Sequence, residues 1–98
     1  MNFVVLDGQA LSEPDFHVLP GGSRVARFVL AIGETIETST QNCVMIKAWN
    51  ETADEAAERV KKGSLLRVEG SLKRSDYTGI KEISAYPTYV VAKRMTYY

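Results

Sequence analysis

"NETADEAAERVKKGSLLRVEGSL", Asn50 to Leu72, decides how the rest of the chain is read. Its first half has helical spacing. Ala53, Ala56, Ala57 and Val60 recur at i, i+3, i+4 and i+7, which sets a small apolar face along one side of a helix. Thr52 and Glu55 have capping-box spacing. Acidic residues lead, and Arg59, Lys61 and Lys62 trail, as the helix dipole favours. Glu55–Arg59 and Glu58–Lys62 are i,i+4 pairs of favourable sign, and Gly63 stands where a helix would stop. From Ser64 the period changes. "SLLRVEGSLKRS" alternates apolar and polar through Leu66, Val68 and Leu72, the signature of a half-buried strand. The stretch therefore predicts a short helix, flat enough on its alanine face to pack on a sheet, handing over directly to a strand.

Strand patterns lie on both sides of it. "CVMIKAWN" puts Val44, Ile46 and Ala48 on one face and Met45, Lys47 and Trp49 on the other. In "RVARFVLAIGE", Ala26, Phe28, Leu30 and Ile32 share a face opposite Val25, Arg27, Val29 and Ala31. "PGGS", Pro20 to Ser23, is a turn, and "TIETSTQN" is a polar loop. "MNFVVLDG" reads as a strand closed by Asp-Gly, and "QALSEPDFHVL" as a polar connection with local extension. After the central stretch, "DYTG", Asp76 to Gly79, is a hairpin turn. "IKEISAYPTYVVAKRMTYY" supplies one or two further strands, interrupted at Pro87. The order is three strands, one helix, then the remaining strands. That order predicts an all-β chain: an OB-fold, a five-stranded Greek-key barrel with one short α-helix between strands 3 and 4, filling residues 1–98 as a single domain.

Composition sets the outer limits. A chain of 98 residues with 45% hydrophobic and 24% charged residues fits one globular domain with a modest core, which an oligomer would help to stabilise. No apolar run approaches a membrane span, and "MNFVVLDGQ" lacks the basic and apolar regions of a signal peptide. A single cysteine excludes an internal disulfide and is compatible with an intracellular home. The 12 Lys and Arg balance the 12 Asp and Glu, which argues against a strong nucleic-acid binder. Distribution matters more than the sum. Glu34, Glu37, Glu51, Asp54, Glu55 and Glu58 fall mid-chain, and Lys61, Lys62, Arg67, Lys73 and Arg74 cluster after them, so a neutral chain can carry a basic face.

The opening "MNFVVLDGQ", then "PGGSRVARFVLAIGE", then "CVMIKAWNETADEAAERVKKGSLLRVEGSLKRSDY" together resemble the single-stranded DNA-binding protein family of bacteria and organelles. The likeness covers nearly the whole chain in order, and its most specific part is the helix followed by "KKGSLLRVEGSL". More distantly the chain is similar to the primosomal replication protein PriB and to short cyanobacterial and plastid relatives. The resemblance implies an OB-fold that binds single strands without reading sequence, in replication, recombination or repair. Such binding needs a charged groove for phosphates and aromatic faces for bases. Of four aromatic positions in the family, two are kept, at Trp49 and Tyr77, while Ile36 and Cys43 stand at the others. The loop Thr35 to Asn42 is shorter than the family's basic hairpin, and the sequence ends at "RMTYY" without an acidic tip for recruiting replication or repair proteins. The resemblance also implies a homodimer or homotetramer in which "NFVVL" pairs with its own copy. It implies a cytoplasmic, nucleoid-associated location, or a plastid one for an organellar gene.

Each candidate residue has a plainer reading beside the functional one. Trp49 is either a base-stacking platform or a core tryptophan with its N–H satisfied. Lys47, Lys62, Lys73 and Arg74 are either phosphate contacts or a solvated face. Arg24, Arg27 and Arg67 are secondary candidates that read better as surface or ion-paired residues. Tyr86, Tyr89, Tyr97 and Tyr98 read as core or subunit-interface residues rather than stackers. One histidine and one cysteine make no metal cluster and no nucleophile–base pair, and no glycine-rich phosphate loop opens a helix, so the residues suggest no enzyme and no cofactor. Two functions compete. The first is sequence-independent binding of single-stranded DNA, with RNA left open because stacking and phosphate contacts hardly distinguish the sugar. The second is a protein-interaction or structural module in which nucleic-acid binding is weak or lost. Whether Trp49 and the basic residues share an exposed face separates the two.

Overall fold

Alternating apolar residues build the strands. The computed structural model of the chain, which describes residues 1–33, 42–74 and 88–98, contains β1 (Val4–Ala10), β2 (Asp15–Val18), β3 (Arg24–Ile32), β4 (Asn42–Trp49), α1 (Glu51–Arg59), β5 (Leu65–Arg74) and β6 (Thr88–Tyr97). The sheet runs β1-β5-β6-β4-β3-β2, and β1 also pairs with β3, so five strands close into a barrel. All described pairings are antiparallel except that of β4 with β6. This is the OB-fold architecture expected from the order of elements. The predicted turn at Asp76 to Gly79, the break at Pro87 and all but the last residue of the loop from Thr35 to Asn42 lie outside the described residues.

The face of Ala26, Phe28 and Leu30 points into the barrel, where it meets Ile46, Ala48, Leu66, Val68, Val90 and Met95. Burying a side chain such as Leu30 or Ile46 contributes roughly 1.5–3 kcal/mol relative to leaving it in water. The helix packs on this core through Ala53 and Ala56, and Val60 follows them inward. Ala57, expected on the same face, is exposed. The helix also begins earlier and ends sooner than its pattern suggested. Thr52 lies inside it, the N-cap is Asn50 with no side-chain cap bond, and extended backbone at Val60 ends it. Lys62 is therefore outside the helix and forms no i,i+4 pair with Glu58. Gly63, with φ 90°, serves the next turn instead, donating its N–H to the Ala10 carbonyl at 2.8 Å.

Two glycines mark where strands approach closely. Gly8 pairs with Leu66 of β5 on one side and Ile32 of β3 on the other, at the point of closure. A Cβ there would run into the Ala31 carbonyl oxygen. Gly70 sits opposite a bulge, because β5 passes from Glu69 to Gly70 while β6 passes from Arg94 to Ala92. A Cβ on Gly70 would run into the Val91 carbonyl oxygen. The "EG" step in the central stretch is thus a steric requirement of the β5–β6 pairing.

One strand differs from the expectation. The segment read as a polar connection contains β2, so the helix follows the fourth strand in the chain rather than the third. All four residues of β2 are exposed, and hydrophobic periodicity gives no signal for a strand without a buried face. Pairing along the β3 edge holds it, continuing the line that β1 begins, with Asp15 opposite Arg27 and Val18 opposite Arg24. Among the described residues, no helix is long and apolar enough to cross a membrane.

Candidate nucleic-acid interface

The outer face of the barrel is built from residues that alternate with the core. On β3 and β4 the facing pairs are Val25 with Trp49, Arg27 with Lys47 and Val29 with Met45. Parallel β6 adds Tyr89 beside Met45 and Val91 beside Lys47. β5 adds Lys73 beside Tyr89 and Ser71 beside Val91. β2 contributes Asp15 beside Arg27 and His17 beside Val25. One continuous surface therefore carries a tryptophan, a tyrosine and three cations.

Trp49 is 38% exposed, so it is not a core residue. Its position at the end of β4 is fixed by the following residue. Asn50 adopts φ 54°, donates its N–H to the Arg24 carbonyl at 2.8 Å, and accepts the Arg24 N–H on its side-chain oxygen at 3.1 Å. Positive φ is uncommon outside glycine, and asparagine tolerates it better than most residues. Arg24 also reaches across to α1, holding the Asp54 carboxylate in a two-pronged ion pair at 2.7 and 2.8 Å. That pair ties the helix start to the strand flanking Trp49.

Lys47 lies between the two aromatic residues. Its ammonium stands over the Tyr89 ring, 4.1 Å from the centroid. Partial burial and the like charge of Arg27 lower its pKa below the ordinary lysine value. Arg27 in turn donates to Asp15 at 2.6 Å, and His17 Nε2 lies 3.0 Å from the other Asp15 oxygen. The Arg27 guanidinium, with a further hydrogen bond from His17, holds the Asp15 carboxyl below its usual value.

The remaining candidates divide. Lys73 is exposed and shares this face through its pairing with Tyr89. Arg74 is exposed at the end of β5, where alternation turns it to the other side. Lys62 is exposed in the turn after α1, with the length of β5 between it and Lys73. Tyr77 and Ile36 lie outside the described residues. Cys43 is exposed on β4 opposite Ala31. Arg24 and Arg67 are engaged elsewhere, Arg67 by Asp7 at 2.8 and 3.0 Å. Among the described residues, no group of three or more His, Cys, Asp or Glu could hold a metal ion.

Sequence reasoning missed Tyr89 on this face. It grouped the residue with the other C-terminal tyrosines, whose surroundings do differ. The Tyr97 hydroxyl is pushed above its ordinary pKa by burial and the nearby Glu55, and its ring lies 4.3 Å from the Arg59 guanidinium, joining helix to β6. The signal available was alternation with Val90, which is buried.

Comparison with known proteins agrees with this architecture. The model of the single-strand binding protein family matches residues 1–98. A single-stranded DNA-binding protein of Bacillus cereus is 34% identical over 99% of this chain and 59% of its own length. Single-stranded DNA-binding protein 1 of a Nostoc strain is 34% identical over 74% of this chain and 61% of its own length. A crystal structure of a deletion mutant of the single-stranded DNA binding protein from Thermus aquaticus superposes with a TM-score of 0.78 at 30% identity, covering 99% of this chain and 40% of that one. The chain thus spans about three fifths of the length of the curated relatives it matches. With the family model matched from the first residue to the last and the barrel shared with a solved relative, the chain belongs to the single-strand binding protein family.

Proposed function

We propose that this chain binds single-stranded DNA without reading its sequence, as a non-enzymatic module serving replication, recombination or repair. The observation that carries the reading is the outer face of β3, β4, β5 and β6. It carries an exposed tryptophan on one face with Lys47, Arg27 and Lys73. A stacked base gains roughly 1–3 kcal/mol whatever its identity, because every base has a π-face. Phosphates supply the rest through salt-dependent contacts. In this reading Trp49 stacks a base, Lys47 and Lys73 meet phosphates, Arg74 meets the strand where it passes the end of β5, and Tyr77 stacks a further base. Lys62 has less support, being at the other end of that strand.

The names of the bacterial relatives support the ligand class, and with DNA as ligand in such organisms the chain works in the cytoplasm at the nucleoid. An oligomer fits the edge of β1. Among the described residues, Val4 to Asp7 pair with β5 alone, and an edge of this kind is a template for a second strand. A homodimer or homotetramer formed there would cover it.

Titrating oligo-dT into the protein while following Trp49 fluorescence tests the reading. Quenching that weakens as salt rises is the expected result, since stacking and phosphate neutralisation act together. No quenching and no mobility shift, even at low salt, would sink it.

A further inference from the structure

Tyr89 occupies a place that a surface tyrosine on a strand need not occupy. Its ring lies on the outer face between Met45 on one neighbouring strand and Lys73 on the other. The Lys47 ammonium covers one side of the ring at 4.1 Å. That lysine is partly desolvated and faces the like charge of Arg27, and among the described residues it is the ring that holds it. A base stacked on the ring replaces the cation–π contact, and the ammonium it displaces is free to meet a phosphate, so both groups stay partnered after the exchange.

Register gives the spacing. Trp49 is four residues beyond Met45 on β4, and Tyr89 is the neighbour of Met45 on β6. At roughly 3.3 Å per residue and about 4.8 Å between strands, the two rings are anchored roughly 14 Å apart. Lys47 lies midway between them, two residues from each along β4. Arg27 is beside it, and Lys73 flanks the far side of Tyr89. Aromatic platforms at both ends of a row of cations suit an unpaired strand whose bases splay onto rings while its phosphates run between them.

We propose that Tyr89 is a second base-stacking platform of this face, closed by Lys47 in the free protein and opened when a nucleobase takes the ring and the Lys47 ammonium moves to an adjoining phosphate. The inference rests on the reading of this face as a single-stranded DNA site.

Binding of fluorescently labelled oligo-dT, measured by anisotropy across a salt series, tests it on the whole chain. Tyr89→Leu is expected to weaken binding about 5- to 150-fold with the salt slope unchanged, because stacking releases no counterion. Tyr89→Phe keeps the ring and binds as the parent does. Lys47→Gln differs in kind, flattening the slope of log affinity against log salt by about 0.7. Tyr89→Leu binding as tightly as the parent overturns the proposal, while the parent's own binding keeps the wider reading intact. If the parent fails to bind at low salt, the wider reading fails, and this inference with it. Should Tyr89→Leu not fold, photo-cross-linking of the unaltered protein to oligonucleotides carrying 5-iodo-deoxyuridine gives the answer. A cross-linked peptide modified at Tyr89 supports the proposal, and cross-links at Trp49 with none at Tyr89 overturn it.

Discussion

Asp15 is the residue that sets the charge of the proposed binding face. Its carboxylate takes Arg27 at 2.6 Å and lies 3.0 Å from His17, so a cation in line with Lys47 is already neutralised. An exposed pair of this kind adds little to stability, since solvent screens it and two side chains must be ordered. Its effect on a polyanion is larger, because a phosphate must displace the carboxylate to reach the guanidinium. Asp15→Asn is expected to bind oligo-dT more tightly, with a salt slope steeper by about 0.7, the increment for one added phosphate contact on a single strand. A salt series on the variant and parent checks it, and identical slopes would mean that Arg27 does not meet the strand. Trp49 shows the other side of the residue scale. Alternation in "CVMIKAWN" separates it from Ile46 and Ala48, yet which face turns inward depends on the partners of β4. Ala26, Phe28 and Leu30 on β3 and Val90 on β6 choose Ile46 and Ala48 for the core, and Trp49 is left outside.

Among the elements, β5 and β6 show how the central stretch governs the barrel. Gly70 faces the bulge in β6, where the chain passes from Ala92 to Arg94 without a partner for Lys93. A bulge bends its strand and increases local twist, which a small closed barrel requires. Only a residue without Cβ lets the Val91 carbonyl come so near. Gly70→Ala is expected to lose at least about 1–3 kcal/mol of stability, the usual cost of overpacking, and more if the strands must shift register. Urea unfolding of the variant against the parent measures it. A midpoint within error of the parent would mean that β6 yields easily at Val91. The helix was legible from the same stretch, but its ends were not. Asn50 caps through its backbone and its bond to Arg24, and Val60 leaves the helix to enter the core, so tertiary contacts override the spacing of Thr52 and Gly63.

At the level of the whole molecule, three carboxylates bind the surface together. Asp7 is held by Arg67, Asp15 by Arg27 and Asp54 by Arg24, and each arginine lowers its partner's pKa from the ordinary 3.8. A carboxyl with a depressed folded pKa contributes stability that is present above its unfolded value and disappears as pH falls through the folded one. Melting temperature is therefore expected to be nearly level from about pH 7 to pH 5 and to fall below about pH 4. The variant Asp7→Asn, Asp15→Asn, Asp54→Asn should show a shallower fall. Thermal melts by circular dichroism across that range decide it, and an unchanged acid slope in the variant would mean that other carboxyls dominate.

The sequence by itself determined the elements whose cause is local. Periods of 3.6 and 2 placed the helix and the strands with a buried side, and a glycine stood where two backbones nearly touch. The order of those elements, with their motifs, was enough for the barrel and for the family to which the chain belongs. Only the tertiary structure decided what depends on partners far apart in the chain. β2 exists because β3 offers it an edge, which no periodicity in four exposed residues records. Tyr89 stands beneath Lys47 because β4 and β6 run parallel, bringing residues from opposite sides of the helix and β5 into one row. Lys62 and Lys73, close in the sequence and alike in charge, are parted by a strand's length because β5 is extended. Charge and aromaticity can be read from the letters, but which of them share a surface is settled by long-range pairing.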